Sequence, residues 1–441
     1  MSMKKLFDVD KHNLLFHNKA LFALLIPIVV EQLLNSFMGM VDTMMVSNLG
    51  SQAISGVSLV DSVNNLIVQL FSAMATGAAI ICSHYIGMRN KDGANKAARQ
   101  VVLTVMVISL AITILGLIFR RPLLTLIFGH VEQEVMDNAV DYFLFTALSY
   151  PFLALFSAGS AIFRSCGNSR YPMMVSVISN VFNIGGNALL MFVFKLGVSG
   201  AAISTLVSRV FCMVVIFIAL SKTKLDIALK DYAAIRPDFG LIKSILAIGV
   251  PSGIENSMFQ FGKLAIQSTV STLGTAAIAA QAMTNILENV NGIFGIGVGM
   301  CLMTVVGQTL GAGRKEEAKY YIVKLAGIAE LGIIASCLLV YAFAGPITRL
   351  GGMETDSARM CIEMVGAITI VKPLVWVLSF VPAYGMRAAG DVRFSMTTSI
   401  ITMCCAKYST YTNIWYGSYW CVVWYVCRLD NTWNNIYNKI L

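Results

Sequence analysis

The sequence predicts an all-α membrane protein of twelve helices in two six-helix lobes, with the last one or two helices aberrant. Three observations lead there. Hydrophobic residues make up 57% of the 441 and charged residues only 12%, against about 25% charged in a soluble globular chain. Mean hydropathy is +0.74, so the chain has more apolar surface than water tolerates and needs lipid as its solvent. The apolar residues run in long, non-alternating stretches, which selects helices over a β-barrel, and the two halves of the chain align on each other.

A helix needs about 20 apolar residues to cross about 30 Å of hydrocarbon. Stretches of that kind lie at roughly 20–47, 52–83, 97–119, 138–163, 171–194 and 199–220. A polar segment, 221–240, separates them from 241–271, 276–308, 318–344, 362–387 and a last run that starts at 394–403. The predicted organisation is an N-terminal lobe at 1–220, a cytoplasmic linker at 221–240 and a C-terminal lobe at 241–441. Lys and Arg recur in alternate gaps: Lys4, Lys5, Lys11 and Lys19, then Arg89, Lys91, Lys96 and Arg99, then Arg164 and Arg170, then Lys222, Lys224, Lys230 and Arg236. The series continues with Arg314, Lys315 and Lys319, then Arg387 and Arg393. The positive-inside rule places these gaps, the N-terminus and the linker in the cytoplasm.

An offset of 224 lays Pro27 and Glu31 on Pro251 and Glu255, Leu49-Gly50 on Leu273-Gly274, Asn65 on Asn289 and Lys91 on Lys315. At an offset of 223, Gly167 and Arg170 fall on Gly390 and Arg393. Internal repeats in the same orientation mark transporters that bind substrate between halves and expose it to each side in turn. The match stops near Met403. Beyond it stand four of the five Trp (Trp415, Trp420, Trp424, Trp433) and an Asn-rich end, so 404–441 is expected to be aberrant, the product of a shifted reading frame; the plainer reading is an unusual aromatic last helix.

Other classes fit poorly. The +9 net charge does not point to nucleic acid, because the basic residues fill short gaps between apolar runs. The ten Cys are scattered without a CxxC, and four His leave little for a metalloenzyme. A membrane-embedded enzyme would need a convergent His, Ser or metal constellation. No enzyme activity and no cofactor are therefore expected, and whether a metal ion binds is left open.

Ionisable groups at membrane depth cost about 2.5–3.5 kcal/mol on insertion scales and usually face a cavity. At 100° per residue Glu31, Asn35 and Asp42 lie within about 40° of one another, one polar stripe on the first span. Pro27, one turn before Glu31, can bend that helix. Asn180, Asn183 and Asn187 form a second stripe, and Gln281, Asn285, Glu288 and Gly292 a third. Glu255 stands about two turns before Lys263, and Lys372 is a candidate neutraliser of a nearby carboxylate. Each group also has a plainer reading: an interhelical hydrogen bond for Glu31 and Glu255, a solvated helix end for Asp42, amide pairing for the asparagines.

Taken together, Pro27 with Gly39-Met40-Val41-Asp42-Thr43, the basic loop after Tyr85-Ile86-Gly87, Arg164-Ser165-Cys166-Gly167-Asn168, Gln308-Thr309-Leu310-Gly311-Ala312-Gly313 and Arg387-Ala388-Ala389-Gly390-Asp391 resemble the multidrug and toxic compound extrusion (MATE) family over about 21–403. The resemblance implies twelve helices in two lobes and export of organic cations against sodium or proton entry. It implies that Asp42 is the first-helix coupling acid, Pro27 the bending proline and Glu255 the seventh-helix carboxylate. Asn187 stands where other members carry an aspartate, so the coupling ion stays open. The expected mechanism places a coupling centre at Asp42 and Glu31, with Glu255 and Glu288 supplying negative charge and aromatic and Met side chains holding the drug. The expected setting is a bacterial cytoplasmic (inner) membrane, with small organic cations and the bilayer as partners of a monomer. The alternative is a flippase for lipid-linked oligosaccharide or cell-wall precursors, which would favour a cationic cleft over these acids.

Overall fold

The computed structural model describes residues 13–129, 132–222, 227, 236–270, 275–350, 353–397 and 399–400. The segment expected to be aberrant, 404–441, lies outside them, as do the side chain of Lys263 and most of the 221–240 linker. Every regular element among the described residues is helical.

The chain divides into two compact units, Ile26–Gly253 and Met1–Leu25 with Ile254–Leu441. The division falls inside two long helices, α1 (Asn18–Ser47) and α9 (Phe239–Val270). Pro27 lies beside the first division and Pro251 just before the second, each inside its continuous helix. A proline there removes one backbone hydrogen bond from the ladder.

The first unit is built on α2 (Ser51–Gly87), with α3 (Lys91–Ile118), α5 (Gln133–Leu148) and α6 (Tyr150–Ser165) packed against it. A short α4 (Arg120–Phe128) links α3 to α5. The sequence predicts one unbroken span at 138–163; instead α5 and α6 meet at a 42° bend. Pro151, in the first turn of α6, has no N–H to give the Ala147 carbonyl, which accepts from Thr113 Oγ1 at 3.2 Å instead. Next, α7 (Arg170–Asn187) passes into a π-helical turn, Ala188–Val193, and packs on α8 (Gly197–Lys222). The first half of α9 lies so close to α2 that a Cβ at Gly77 would sit 2.9 Å from the Ile245 carbonyl. Asp238 caps α9 through Gly240 N–H at 3.0 Å and Leu241 N–H at 3.2 Å. A hydrogen bond from Lys96 holds the Asp238 carboxyl below the usual carboxylate range.

In the other unit α10 (Thr275–Gly311), α11 (Lys315–Leu350) and α12 (Thr355–Ala388) pack mutually. The segment before α1 docks on α11: Phe16 is buried edge-on to Tyr321, whose hydroxyl oxygen accepts from Phe16 N–H at 2.8 Å. Arg314 donates to the Asn13 carbonyl at 2.7 Å.

Seven described helices are long and apolar enough to cross a membrane, and α5 with α6 makes an eighth if counted as one broken span. Large apolar side chains stand exposed along them, among them Val107, Ile114 and Ile118 on α3 and Leu331, Leu338 and Leu339 on α11. Rows of that kind are costly in water and suit lipid.

Candidate functional site

Two carboxylates predicted to handle ions are each held by an arginine of the same unit. Glu31, 2% exposed, accepts from Arg164 Nη2 at 2.8 Å on both oxygens. Arg164 sits in the last turn of α6, at the helix end where a cation is favoured. In the other unit Glu255, 7% exposed, pairs with Arg387 Nη2 at 2.8 Å. It also accepts from Ser395 at 3.1 Å and Ser399 at 3.0 Å. Arg387 ends α12, and an offset of 223 lays Arg164 on it, so both ion pairs are copies of one feature.

Asp42 has different company. Asn187 Nδ2 donates to its Oδ1 at 2.6 Å. With the Asn183 amide oriented to satisfy both its ends, Nδ2 donates to the same oxygen at 3.1 Å and Oδ1 accepts from Thr205 N–H at 3.3 Å. Both asparagines come from α7, the second at the junction with the π turn, a distortion that often marks functional positions. Gly186 lets α8 approach there, because a Cβ on it would collide with Ser204. Asn180 Nδ2 and Asn187 Oδ1 are buried without a hydrogen-bond partner among the described residues.

Beside Asp42 lies a second polar group. Asp61 accepts from Asn64 Nδ2 at 3.3 Å and from the Tyr142 hydroxyl. The Tyr150 hydroxyl donates to Asn64 Oδ1 at 2.7 Å. Arg209, in the middle of α8, donates to Ser149 Oγ at 2.6 Å at the α5–α6 bend. Its guanidinium is within electrostatic reach of Asp61 and Asp42.

The first predicted stripe therefore comes apart. Glu31 turns to α6 and Asp42 to α7, while Asn35 is exposed. Of the third stripe, Gln281 and Asn285 are half-buried, and Glu288 lies 3.6 Å from Lys372, whose ammonium also donates to the Glu288 carbonyl at 3.0 Å. Lys372 thus meets the carboxylate of α10, and the partner of Glu255 is Arg387. By sequence Arg164 and Arg387 stand as loop charges within family-like motifs, and Arg209, Tyr142, Tyr150 and Asn64 are not among the expected site residues. Two signals were available: the repeat offset that superposes Arg164 on Arg387, and a lone Arg within the apolar run 199–220.

A metal site of three or more His, Cys, Asp or Glu does not form among the described residues. What the arrangement offers is a carboxylate held by neutral amides, next to a second acid and one guanidinium.

Comparison with known proteins converges on one family. The MatE family pattern matches the chain twice, at residues 27–189 and 251–412, with starts that differ by the repeat offset. The chain is 27% identical over 390 residues to an uncharacterized transporter, YisQ, of Bacillus subtilis, covering 87% of this chain and 84% of the relative. It is 26% identical over 365 residues to a probable multidrug resistance protein, NorM, of Thermotoga maritima, covering 79% and 76%. A FAD transporter of Shewanella oneidensis is 24% identical, covering 90% of this chain and 87% of the relative. Among solved structures, an outward-facing multidrug resistance MATE transporter of the MOP superfamily superposes with a TM-score of 0.86 at 20% identity, over 99% of this chain and 97% of that one. A MOP-superfamily transporter from Pyrococcus furiosus superposes equally well, with a TM-score of 0.86 at 19% identity, covering 99% and 97%.

Proposed function

Because the chain belongs to the MatE family and is a membrane transporter rather than an enzyme, we propose that it exports organic cations and drugs in exchange for an entering sodium ion or proton. Export runs by alternating access across a bacterial cytoplasmic membrane, with the N-terminus and the 221–240 linker on the cytoplasmic side, where the basic gaps lie.

One observation carries the reading: Asp42 is bound by the neutral amides of Asn187 and Asn183, at 2.6 Å and 3.1 Å, and not by an arginine. An exchanger needs a carboxylate whose negative charge is released and reclaimed in each cycle. Amide donors hold such a group in place while leaving its charge for an ion, a proton or a cationic drug. Glu31 and Glu255 already face permanent cations in Arg164 and Arg387. They hold helices in register, and Asp42 with Asn183 and Asn187 forms the coupling centre.

Ethidium efflux from cells producing the chain tests this. Asp42→Asn is expected to abolish energised efflux, whereas Glu255→Gln, corrected for the amount of folded protein, retains it. Unchanged efflux in Asp42→Asn sinks the assignment.

A further inference from the structure

Arg209 is absorbed by neither ion pair and lies in the middle of a span, where an arginine is expensive and marks function by default. Its surroundings are built to keep it. The Ser149 hydroxyl accepts from Nη1 at 2.6 Å and itself donates to the Thr146 carbonyl at 2.6 Å. The bend between α5 and α6 puts Ser149 there. The ionisable groups facing the guanidinium are Asp42 from α1, Asp61 from α2, Tyr142 from α5 and Tyr150 from α6. The tyrosines are neutral, and their hydroxyls donate to Asp61 and Asn64. Arg164 and Arg387 are each clamped onto one carboxylate; Arg209 is tied to a serine, and its charge is shared by two acids.

We propose that Arg209 is a specificity-determining residue: a built-in counter-charge that selects singly over doubly charged organic cations. The inference rests on the assignment of Asp42 as the coupling centre. With both carboxyls ionised, Asp42 and Asp61 bring two negative charges and Arg209 one positive charge that no physiological pH removes. The remainder is one negative charge. One monovalent drug cation or one proton neutralises it, while a dication leaves an excess positive charge at membrane depth. Without Arg209 that preference is absent, because two neighbouring acids attract a dication more strongly than a monocation.

Ethidium and propidium share a phenanthridinium ring but carry one and two positive charges. Their binding to the detergent-purified full chain is read by fluorescence, as the ratio of propidium to ethidium affinity. The wild type is expected to favour ethidium. Arg209→Gln is expected to raise the ratio about tenfold or more. Arg209→Lys keeps the charge and is expected to keep the wild-type ratio. If Arg209 were only an anchor for the helix bend, all variants would weaken both dyes together, and an unchanged ratio in Arg209→Gln overturns the proposal. Should that variant not fold, Asp61→Asn decides: it removes one negative charge from the same place, and the ratio must fall; an unchanged ratio again overturns it. Asp42→Asn separates the two readings. Ethidium binding that survives it refutes the coupling centre. Binding lost in Asp42→Asn together with an unchanged ratio in Arg209→Gln refutes the role of Arg209 alone.

Discussion

Arg164 reaches across 133 positions of sequence to place one nitrogen 2.8 Å from both oxygens of Glu31, in the interior of the first unit. The repeat makes the same pair again between Arg387 and Glu255. The buried ion pair thus occurs at corresponding positions of both halves. The halves differ at the acids near Asp42. The offset of 224 lays Asp42 on Ile266, and Asp61 and Asn64 on Asn285 and Glu288, so the acid and the amide of that pair exchange places.

Breaking a buried ion pair from one side strands a charge and costs about 3–5 kcal/mol, whereas removing both partners costs far less. Glu31→Gln and Arg164→Met are each expected to lower the thermal midpoint of the detergent-solubilised protein by several degrees. The double variant should recover most of the loss. Additive losses in that cycle would show that the two side chains do not stabilise the unit through one another.

The pair between Lys372 and Glu288 is lopsided: the Lys372 side chain is 7% exposed and that of Glu288 30%. Losing the carboxylate takes the negative charge away from a buried ammonium, while losing the lysine leaves a carboxylate that reaches solvent. Glu288→Gln is therefore expected to destabilise more than Lys372→Met. The reverse order in thermal melts would contradict this account.

Apolar run length, charge alternation and the repeat made the helical spans and the family legible in the sequence, because these are properties of each segment by itself. Partners were less legible. Helical spacing puts Glu31 and Asp42 on one stripe, yet it says nothing of which neighbouring helix each meets, and α6 and α7 take one each. The break at Leu148–Tyr150 hides in an apolar run that only Pro151 interrupts. Arg209 was visible as a letter, but its meaning depends on Ser149 and the bend that brings it close.

One hydroxyl on α11 makes several of the contacts that dock the segment before α1. Tyr321 is fully buried; its single hydroxyl proton is shared between Glu317 Oε1 and the Phe16 carbonyl, 2.9 Å away each, and its oxygen accepts from Phe16 N–H at 2.8 Å. Tyr321→Phe keeps the edge-on ring contact and leaves the Phe16 N–H and carbonyl without the hydroxyl they both bond, worth about 1–3 kcal/mol. Limited proteolysis is expected to cut the segment before α1 faster in this variant, with the rest of the fold unchanged. Equal cleavage rates would show that the docking rests on the ring and not on the hydroxyl.

Asn187 is the shortest donor to Asp42, at 2.6 Å, and follows Gly186, whose missing side chain lets α8 close in at Ser204. Asn187→Leu removes the donor without emptying the space. Hydrogen bonds to charged groups contribute about 1.5–3 kcal/mol, so ethidium efflux is expected to fall about tenfold or more while the thermal midpoint moves little. Gly186→Ala should do the opposite, lowering the midpoint through its clash with Ser204 and lowering efflux only in proportion to the folded protein lost. If Asn187→Leu instead melts early and transports normally per folded molecule, then Asn187 is a packing residue and Asp42 is held by Asn183 alone.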